Sequence, residues 1–321
     1  MYRIWFERTV PPAFWPLLEG VEVLGAASET PAAPLSRVAR AQAIIAGSRL
    51  RYDAALMDAA PELRVIARTG IGYDNVDVAE ATRRGIAVCN APDAPSISTA
   101  EHTLALLLAA AKQVTRSERL LRAAARQDYF ADHGAIELAG RTLAVIGLGR
   151  IGGRVAHVAR ALGMRVVGYD PLARPERFAE LGVERAATLE EALGQADAVT
   201  LHVPLVPETR HMLNGATIAR IKPGAILVNC ARGGLVDERA LLEALDSGHL
   251  RAAALDVFEV EPPPPDHPLL GRDDVVATPH VAGASDRGKE RLWTTAIEQA
   301  LAVLRGERAP FCVNPEVWSG G

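Results

Sequence analysis

Short apolar runs alternate with amphipathic segments along most of the chain. Runs such as AIIAGS and TLAVIG have the length and the apolar content that are typical of buried strands. Between such runs lie segments with the period of a helix, for example NVDVAEATRRG, which ends at Gly85, a residue type that favours the end of a helix. This alternation predicts βαβ units built around parallel sheets, and therefore an α/β fold.

The predicted elements form two series. In the first series, the runs that predict strands are RIWFE, VEVLGA, AIIAGS, RVIARTG and IAVCNAP. In the second series, they are TLAVIG, RVVGYD, DAVTLHVP, AILVNC, AAALDVF and VVATPH. Between the series, residues 98–125 predict one long helix, in which Ser98 and Glu101 have the spacing of a capping box, and a last helix is predicted at about residues 285–305. Two domains are expected, because a chain of 321 residues exceeds the size at which a single core stops growing.

The composition is that of an ordinary soluble globular protein, with 49% hydrophobic and 23% charged residues. A net charge of −4 gives no electrostatic attraction for nucleic acid or for anionic membranes, so neither is an expected partner. The longest apolar run, TLALLLAAA, is about half as long as a membrane-spanning helix. The three cysteines are far apart and form no CxxC pair, so we expect no metal site and no disulfide framework. These features, and a first segment MYRIWFERTV without the pattern of a secretory signal, predict a cytoplasmic location.

One segment has the pattern of a dinucleotide-binding turn. It follows an apolar strand, opens a helix, and has its G-x-G-x-x-G motif at Gly147, Gly149 and Gly152. Because glycine has no side chain, this motif allows a tight turn and the close approach of a pyrophosphate. The backbone N–H groups of Arg150 and Ile151 would point toward the pyrophosphate. Asp170 ends the next strand, where it can accept hydrogen bonds from ribose hydroxyls and would repel a 2′-phosphate, so NAD is the expected cofactor. The nearby Arg174 would favour NADP if it reached the ribose, but its position after Asp170 and Pro171 predicts a surface residue.

The second series also supplies the residue types that a hydride transfer to a carbonyl requires. Such a reaction needs an anchor for the substrate anion, a proton donor and a group that orients the donor. Arg232 follows the run AILVNC, Glu261 follows LDVFEV, and His280 ends VVATPH. Residues just past the strand ends of a doubly wound sheet lie at its ligand-binding edge, so these three are the candidate catalytic residues. Taken one at a time, a surface arginine or an ordinary loop histidine would be the simpler interpretation.

The chain resembles the D-isomer-specific 2-hydroxyacid dehydrogenase family in several separate motifs that occur in the family's order. These motifs are RTGIGYDNVD, GLGRIG, HVPL, NCARGGLVDE, AALDVFEVEP and TPHVAGAS. The resemblance implies a Rossmann-type coenzyme domain with a doubly wound parallel sheet, at residues 98–285, inserted into a smaller flavodoxin-like α/β substrate domain. The substrate domain would consist of residues 1–97 and 286–321, and the reaction would take place in the cleft between the two domains.

The resemblance also implies an activity and a role for each candidate residue. The enzyme would transfer a hydride between NAD(H) and C2 of a small D-2-hydroxy acid or 2-oxo acid. Arg232 would bind the substrate carboxylate, His280 would exchange a proton with the C2 oxygen, and Glu261 would pair with His280, whereas Glu259 would be a solvated neighbour. The residues expected to contact the coenzyme are Gly147, Gly149, Arg150, Ile151, Gly152, Asp170, His202, Val203, Pro204, Cys230, Ala231 and Asp256. The residues expected to contact the substrate are Arg68, Ile71, Gly72 and Ser96.

The identity of the substrate stays open on sequence grounds. A small 2-oxo acid such as glyoxylate or hydroxypyruvate is expected, with D-3-phosphoglycerate dehydrogenase activity as the alternative. Arg68 stands where phosphoglycerate dehydrogenases have an arginine, but Gly47 stands where a second one is expected, with Arg49 two residues further on. Pro95 occupies a position where many relatives have asparagine. Glu261 argues against a formate dehydrogenase, which has an amide at that position, and phosphite oxidation stays a minor alternative.

Two expectations concern partners. In this family the helix around TLALLLAAA lies at a two-fold interface, so a homodimer is expected, and His102 on that helix is expected to be packed or interfacial rather than catalytic. A dinucleotide-sensing corepressor with no enzymatic role is the alternative from another class of protein. Such proteins would carry long polar tails, which this sequence lacks.

Overall fold

The structure consists of two compact units. The computed structural model describes residues 1–25, 35, 37–124, 128 and 130–318. The first unit consists of Met1–Pro95 together with Ala284–Gly321, and the second consists of Ser96–Gly283. The chain therefore leaves the first unit at Ser96 and returns to it at Ala284, whereas the domain boundaries expected from the sequence lie at residues 98 and 286.

Strands and helices alternate along both units. The strands are β1 (Tyr2–Phe6), β2 (Val21–Gly25), β3 (Ala43–Ala46), β4 (Val65–Arg68), β5 (Ala87–Cys89), β6 (Thr142–Ile146), β7 (Arg165–Tyr169), β8 (Glu184–Arg185), β9 (Ala198–Leu201), β10 (Ala225–Asn229), β11 (Leu250–Leu255) and β12 (Val275–Ala277). The helices are α1 (Ala54–Asp58), α2 (Val78–Arg83), α3 (Ser96–Ala111), α4 (Val114–Arg122), α5 (Arg150–Ala161), α6 (Pro175–Leu181), α7 (Leu189–Gly194), α8 (Gly215–Ile218), α9 (Glu238–Asp246) and α10 (Asp286–Leu304). Within the described ranges, no helix is both long enough and apolar enough to cross a lipid bilayer.

The first unit is built around a parallel sheet with the strand order β2-β1-β3-β4-β5, which is the order of flavodoxin-like folds. Both faces of this sheet are covered, so consecutive residues of β1 are buried on opposite sides. Ile4 and Phe6 pack with residues of α10, whereas Trp5 packs with residues of α1. On α10, the ring of Trp293 stacks on those of Phe6 and Phe14. The C-terminal helix therefore completes a core that the first strands begin.

The second unit contains a parallel sheet with the strand order β12-β11-β10-β9-β6-β7-β8. This is the doubly wound order of a Rossmann fold, with β12 added at one edge. The direction of the strand order reverses between β6 and β9, which lie side by side. In open sheets of this kind, ligands bind beyond the carboxyl ends of the strands at such a reversal.

The structure differs from the sequence-based expectations in three places. The sequence had predicted Ser98 as the capping residue of the long helix. This helix instead begins at Ser96 and ends at Ala111, so Ser98 lies inside its first turn. A second helix, α4, follows Gln113, whose φ of 53° is left-handed and interrupts the helix. The strand β8 was not predicted, because its two exposed residues carry no apolar pattern. Two end residues of predicted elements lie outside the described residues. They are Ala26, the last residue of the predicted strand VEVLGA, and Ala125, the last residue of the predicted long helix.

Candidate active site

In the turn between β6 and α5, backbone segments pack closely against one another. A Cβ atom on Gly152 would lie 1.9 Å from the carbonyl oxygen of Gly147, and a Cβ on Gly147 would lie 2.6 Å from the carbonyl oxygen of His202. Gly147 also has a φ of 93°, which a side chain would strain. These two glycines are therefore required by the packing of strand, helix and the neighbouring turn after β9.

Gly149 is a glycine for a different reason. A Cβ atom at this position would meet no described atom within 4 Å, so packing inside the protein does not require the missing side chain. Gly149 is the N-cap of α5, and no side chain of the described residues caps the first turn of this helix. The first N–H groups of a helix have no partner inside it, and the helix dipole favours an anion there. The space left by Gly149, next to these N–H groups, fits the pyrophosphate of a dinucleotide.

Asp170 lies directly after β7, and backbone hydrogen bonds fix its carboxylate. Oδ2 accepts from the N–H of Leu148 at 2.8 Å, and Oδ1 accepts from the N–H of Leu172 at 3.0 Å. A carboxylate has about four acceptor positions, so capacity remains for the hydroxyls of a ribose. Arg174, the residue that could have favoured a 2′-phosphate, is exposed at the N-cap of α6.

The residues predicted to line the nicotinamide follow β9 and β10. The N–H of His202 donates to the carbonyl oxygen of Ile146 at 2.7 Å, which holds the start of the turn His202, Val203, Pro204 against the end of β6. Burial lowers the pKa of His202 to about 3, so its ring is neutral at physiological pH. Cys230 follows β10, and burial raises the pKa of its thiol to about 12, which leaves it protonated and unreactive.

His280 and Glu261 form a hydrogen-bonded pair. Nδ1 of His280 lies 2.6 Å from Oε2 of Glu261, and the two side chains are 37% and 34% exposed. Oε1 of Glu261 accepts from the N–H of Phe258 at 3.2 Å, which fixes the carboxylate from the other side. Burial raises the pKa of Glu261, but the hydrogen bond and charge of His280 act in the opposite direction and leave the pKa below its ordinary value. Glu261 is therefore ionised at neutral pH, and Nε2 of His280 is left to act on a ligand.

Arg232 lies near this pair and follows β10. The positive charge of Arg232 also lowers the pKa of Glu261. Its carbonyl oxygen accepts from Nδ2 of Asn229 at 2.8 Å. A Cβ on the next residue, Gly233, would lie 2.0 Å from the backbone of Phe258, so this glycine lets the chain after Arg232 pack against the segment that carries Glu261. The second unit thus brings together the arginine, the carboxylate and the imidazole that the sequence predicted.

Asp256 makes structural contacts that the sequence did not reveal. It is fully buried, and its carboxylate accepts hydrogen bonds from the hydroxyl of Thr278 at 2.6 Å, from the N–H of Val281 at 2.9 Å and from the N–H of Ala282 at 2.8 Å. Its carbonyl oxygen accepts from the N–H of His280 at 2.7 Å. One aspartate therefore holds the loop of residues 278–282, which we call the histidine loop.

His102 extends the same network from α3. Its Nε2 lies 3.0 Å from Oγ1 of Thr278 and 3.5 Å from Oδ1 of Asp256. His102 is thus packed, as expected, and it supports the histidine loop from a distant part of the sequence. No spacing or motif could have indicated this contact, because residues 102 and 278 belong to different elements of the fold.

The substrate-binding residues predicted in the first unit lie in or next to a turn that side-chain hydrogen bonds hold in place. Arg68 is 5% exposed, and its Nε and Nη1 donate to the carbonyl oxygens of Gly72 at 2.9 Å and of Ala46 at 3.1 Å. Nδ2 of Asn90 donates to the carbonyl oxygen of Ile71 at 2.7 Å. The carbonyl oxygens of Ile71 and Gly72 are therefore both held by side chains. The N–H groups of these two residues donate to no acceptor among the described residues. Ser96, the remaining predicted residue, is buried as the first residue of α3 in the second unit.

The other polar residues near Glu261 have structural contacts. Glu259 is exposed, as expected, and its carboxylate also has partners: Oε2 lies 3.2 Å from Nε2 of His211, and Oε1 accepts from the N–H of Glu238 at 3.1 Å. His267 lies 3.1 Å from Oε2 of Glu238, and its ring packs edge-on against Phe258. Both residues therefore tie the segment after β11 to the start of α9.

Known proteins are similar to this chain in sequence and in structure. The family model of the D-isomer specific 2-hydroxyacid dehydrogenase NAD binding domain matches residues 104–282. The D-3-phosphoglycerate dehydrogenase of Methanocaldococcus jannaschii is 46% identical over 281 residues, which cover 87% of this chain and 53% of that protein. The glyoxylate reductase of Korarchaeum cryptofilum is 44% identical over 287 residues, which cover 88% of this chain and 86% of that protein.

A solved structure is similar over nearly the full length. The crystal structure of a D-lactate dehydrogenase from Aquifex aeolicus, complexed with NAD and lactic acid, has a TM-score of 0.85 and 30% sequence identity, and covers 97% of this chain and 99% of that one. By contrast, the chain spans about half the length of the D-3-phosphoglycerate dehydrogenases that it matches.

Proposed function

The chain belongs to the D-isomer specific 2-hydroxyacid dehydrogenase family, and from this we propose that it catalyses hydride transfer between NAD(H) and C2 of a small 2-oxo acid or D-2-hydroxy acid. The observation that carries this proposal is the hydrogen bond of 2.6 Å between His280 and Glu261, with the charge of Arg232 close enough to lower the pKa of Glu261. An anion-binding arginine beside a charge-stabilised acid–base histidine is the arrangement that carbonyl reduction requires.

Each residue of this group has a specific task in the proposed reaction. NAD, when bound, supplies or accepts the hydride. Nε2 of His280 gives a proton to the C2 oxygen during reduction and removes it during oxidation. Glu261 holds Nδ1, which fixes the ring orientation and stabilises the protonated imidazole. Arg232 binds the substrate carboxylate and polarises the C2 carbonyl, a task that suits the planar guanidinium group.

The turn of Ile71 and Gly72 is proposed to contact the substrate through backbone N–H groups. The guanidinium of Arg68 and the amide of Asn90 hold the carbonyl oxygens of this turn, so the N–H groups have a fixed direction. Arg68 is engaged in building the turn, with Nε and Nη1 both donating to backbone carbonyls. This use of Arg68 favours an unphosphorylated substrate such as glyoxylate or hydroxypyruvate over phosphohydroxypyruvate.

D-3-phosphoglycerate dehydrogenase activity is the second candidate. It is supported by the 46% identity to a protein of that name, although the match covers 53% of that protein's length. A glyoxylate reductase is similar at nearly the same level, 44% identity, over 86% of its length. Sequence similarity therefore does not separate the two substrates, and Arg68 is the structural feature that favours the unphosphorylated acid.

The proposed cofactor contacts come from the second unit. The glycine turn, with Gly147, Gly149, Arg150, Ile151 and Gly152, would hold the pyrophosphate, and Asp170 would bind the adenosine ribose. The nicotinamide would be lined by His202, Val203, Pro204, Cys230, Ala231 and Asp256. Because Asp170 is negatively charged and Arg174 is exposed, the site favours NAD over NADP.

A homodimer in the cytoplasm is the proposed state of the protein. The support for a second copy is a set of apolar side chains exposed on α3, on α4 and just beyond them, namely Leu108, Val114, Leu121 and Phe130. Exposed large apolar side chains are a feature of many binding surfaces. Leu108 lies on α3, the helix that the sequence predicted to lie at a dimer interface.

The decisive experiment measures NADH oxidation with a panel of 2-oxo acids that includes glyoxylate, hydroxypyruvate and phosphohydroxypyruvate. We expect turnover with an unphosphorylated acid, and loss of about 10²–10⁴-fold in kcat when His280→Gln removes the proton donor, with NADH binding retained. His133→Gln, at an exposed histidine, is the matched control and should keep full activity. Tight NADH binding without turnover of any acid would instead indicate a dinucleotide-sensing protein. A preference for the phosphorylated acid of tenfold or more would reverse the substrate ranking.

A further inference from the structure

Two of the three cysteines lie opposite each other in the first unit. Cys89 is the last residue of β5, and Cys312, in the segment after α10, forms an isolated antiparallel bridge with it. The N–H of Asn90 donates to the carbonyl oxygen of Phe311 at 3.1 Å, and the N–H of Val313 donates to that of Val88 at 2.7 Å. These two backbone hydrogen bonds lie on either side of the cysteines, so Cys89 and Cys312 are a non-hydrogen-bonded pair of the antiparallel ladder. In such a pair the Cα atoms are about 4.5 Å apart. Disulfides join Cα atoms about 4.4–6.8 Å apart, so this geometry permits one.

A buried asparagine fixes the segment that carries Cys312. Oδ1 of Asn314 accepts from the N–H of Val88 at 2.7 Å, and its Nδ2 donates to the carbonyl oxygen of Ile86 at 3.0 Å. Asn314 is fully buried, so these hydrogen bonds are shielded from water. The segment that carries Cys312 is therefore held against β5.

The two thiols have different reactivities. Cys89 is buried, whereas Cys312 is partly exposed. The hydrogen bond between the thiols lowers the pKa of Cys312 to about 6, against the opposing effect of burial. The same hydrogen bond, together with burial, raises the pKa of Cys89. Cys312 is thus the more acidic and the more accessible of the two thiols, so it is the one that an oxidant reaches first, and the thiol of Cys89 lies beside it.

We propose that Cys312 and Cys89 form a peroxide-reactive pair, in which Cys312 is oxidised first and Cys89 then closes a reversible disulfide. In the first step the Cys312 thiolate attacks a hydroperoxide: an S–O bond forms, the O–O bond breaks, and hydroxide or alkoxide leaves. The sulfur is oxidised by two electrons and the peroxide is reduced by two. In the second step the Cys89 sulfur attacks the Cys312 sulfur: the S–S bond forms, the S–O bond breaks, and the hydroxyl leaves as water with the Cys89 proton.

The disulfide would tie the C-terminal segment to β5 and so join the two stretches of chain that build the first unit. A dithiol reductant reverses the step, since thiolate attack on the disulfide restores both cysteines. Cys230, in the second unit, gives an internal comparison: burial raises the pKa of its thiol to about 12, so it should remain reduced.

The test is to treat the full-length protein with hydrogen peroxide, unfold it under non-reducing conditions and map its thiols by mass spectrometry. We expect the reactive thiols to fall from three to one, a peptide linking Cys89 to Cys312 within one chain, and full recovery after dithiothreitol. Cys230→Ser, the matched control, should form the same linked peptide at the same rate. Survival of all three thiols, or a disulfide that involves Cys230, would overturn the proposal. The readout does not use enzymatic activity, so its outcome is independent of the proposed dehydrogenase function.

Two variants assign the order of the steps. Cys312→Ser should slow the peroxide-dependent loss of Cys89 by about tenfold or more, because a buried protonated thiol is a poor nucleophile. Cys89→Ser should still be oxidised at Cys312, and the sulfenic acid should be trapped by a cyclic 1,3-dione. Rapid oxidation of Cys89 in Cys312→Ser would contradict the assigned order, as would the absence of a trapped adduct in Cys89→Ser.

Discussion

His280 lies in the loop between β12 and α10, where contacts of its backbone and of its ring both hold it. Its φ of 54° is left-handed, a conformation that costs a non-glycine residue about 1–2 kcal/mol. The N–H donates to the carbonyl oxygen of Asp256 at 2.7 Å, and Nδ1 lies 2.6 Å from Oε2 of Glu261. These contacts fix the direction of Nε2. Backbone strain of this size persists where surrounding contacts enforce it, which is common at functional sites.

The charge of Glu261 should set the pH range of the reaction. Because its pKa lies below the ordinary value, Glu261 is ionised throughout the range in which imidazoles titrate, and it stabilises the protonated ring of His280. Glu261→Gln keeps a hydrogen-bond acceptor but removes the charge. We therefore expect the pH profile of carbonyl reduction to move to lower pH, because the variant lacks the carboxylate charge that the wild type places 2.6 Å from Nδ1 of His280.

Steady-state rates of NADH oxidation across a pH series would measure this shift. Glu259→Gln is the matched control, since Glu259 contacts His211 and not His280, and its profile should coincide with that of the wild type. An unchanged profile in Glu261→Gln would remove Glu261 from its proposed role.

Asp170 should determine the choice between NADH and NADPH. Its carboxylate is fixed by the N–H groups of Leu148 and Leu172, so it cannot easily turn away from a 2′-phosphate. Asp170→Ala should weaken NADH binding by about tenfold to a hundredfold, the effect of losing hydrogen bonds to a charged group, while NADPH binding weakens less or improves. Titration of both coenzymes by fluorescence would measure this. Arg174→Ala, at an exposed position, should leave the preference unchanged. Equal losses for the two coenzymes in Asp170→Ala would contradict the assignment.

At the scale of elements, the glycines in the turn between β6 and α5 have two different roles. Gly152 allows close packing, whereas Gly149 is proposed to leave space for the cofactor, and mutations can distinguish the two. In Gly152→Ala, the new Cβ would lie 1.9 Å from the carbonyl oxygen of Gly147, so the backbone must move. We expect a loss of about 1–3 kcal/mol in the free energy of unfolding, together with weak NADH binding. In Gly149→Ala, no described atom lies within 4 Å of the new Cβ, so stability should fall by less than in Gly152→Ala, by no more than about 1 kcal/mol for the poorer N-cap.

NADH binding should nevertheless weaken in Gly149→Ala, because the methyl group would occupy the space proposed for the pyrophosphate. Thermal unfolding and NADH titration of the two variants would test this pair of expectations. If Gly149→Ala bound NADH as tightly as the wild type, the cofactor would not contact this turn as proposed.

The histidine loop gives a second prediction at this scale. The hydroxyl of Thr278 donates to Asp256 at 2.6 Å and lies 3.0 Å from Nε2 of His102. Thr278→Val removes this hydroxyl with little change in shape and leaves a buried carboxylate with one donor fewer, which costs about 1–3 kcal/mol of stability. We expect kcat to fall by about tenfold or more, since a small displacement of His280 is costly, while NADH affinity changes little.

Thr217→Val is the matched control for this loss of stability. Its hydroxyl donates to the carbonyl oxygen of Met212 at 2.8 Å, in the cap of α8, and makes no contact with the histidine loop. Unfolding and steady-state kinetics should show a comparable loss of stability in both variants but a loss of kcat only in Thr278→Val. A similar kcat in the two variants would mean that the loop is not held through Thr278.

The sequence predicted elements better than it predicted contacts. Buried strands of parallel sheets are continuous apolar runs, so β6 and β10 were evident, and the glycine turn was recognisable from spacing. The break in the long helix at Gln113 was missed because glutamine is an ordinary helix former, so its residue type does not indicate the left-handed φ of 53°. The network of Asp256, Thr278 and His102 was also missed, because it joins segments far apart in sequence. Strand order could be expected only through the family resemblance.

At the scale of the whole molecule, the two units differ in how they use the chain. The first unit needs both ends, because α10 supplies Trp293, Ala296 and Ile297 to the core begun by the first strands. The second unit is a continuous segment, Ser96–Gly283, with cores on both faces of its own sheet. Removal of the C-terminal residues should therefore affect the first unit directly, whereas the continuous second unit retains all of its own strands.

Self-association is the last property that the surface predicts. Leu121 on α4 is 71% exposed, and Val114 on the same helix and Leu108 on α3 are also exposed. Covering such side chains with a second copy removes apolar area from water, at about 25 cal/mol per Å². We expect the wild type to be a dimer at micromolar concentration in light scattering, and Leu121→Glu to shift it toward the monomer, because a buried unpaired carboxylate is costly. Leu172→Glu is the matched control: Leu172 is 93% exposed in the same unit but lies after β7, away from α3 and α4 in the sequence, so this variant should remain a dimer. A monomeric wild type, or equal dissociation of the two variants, would contradict an interface formed by α3 and α4.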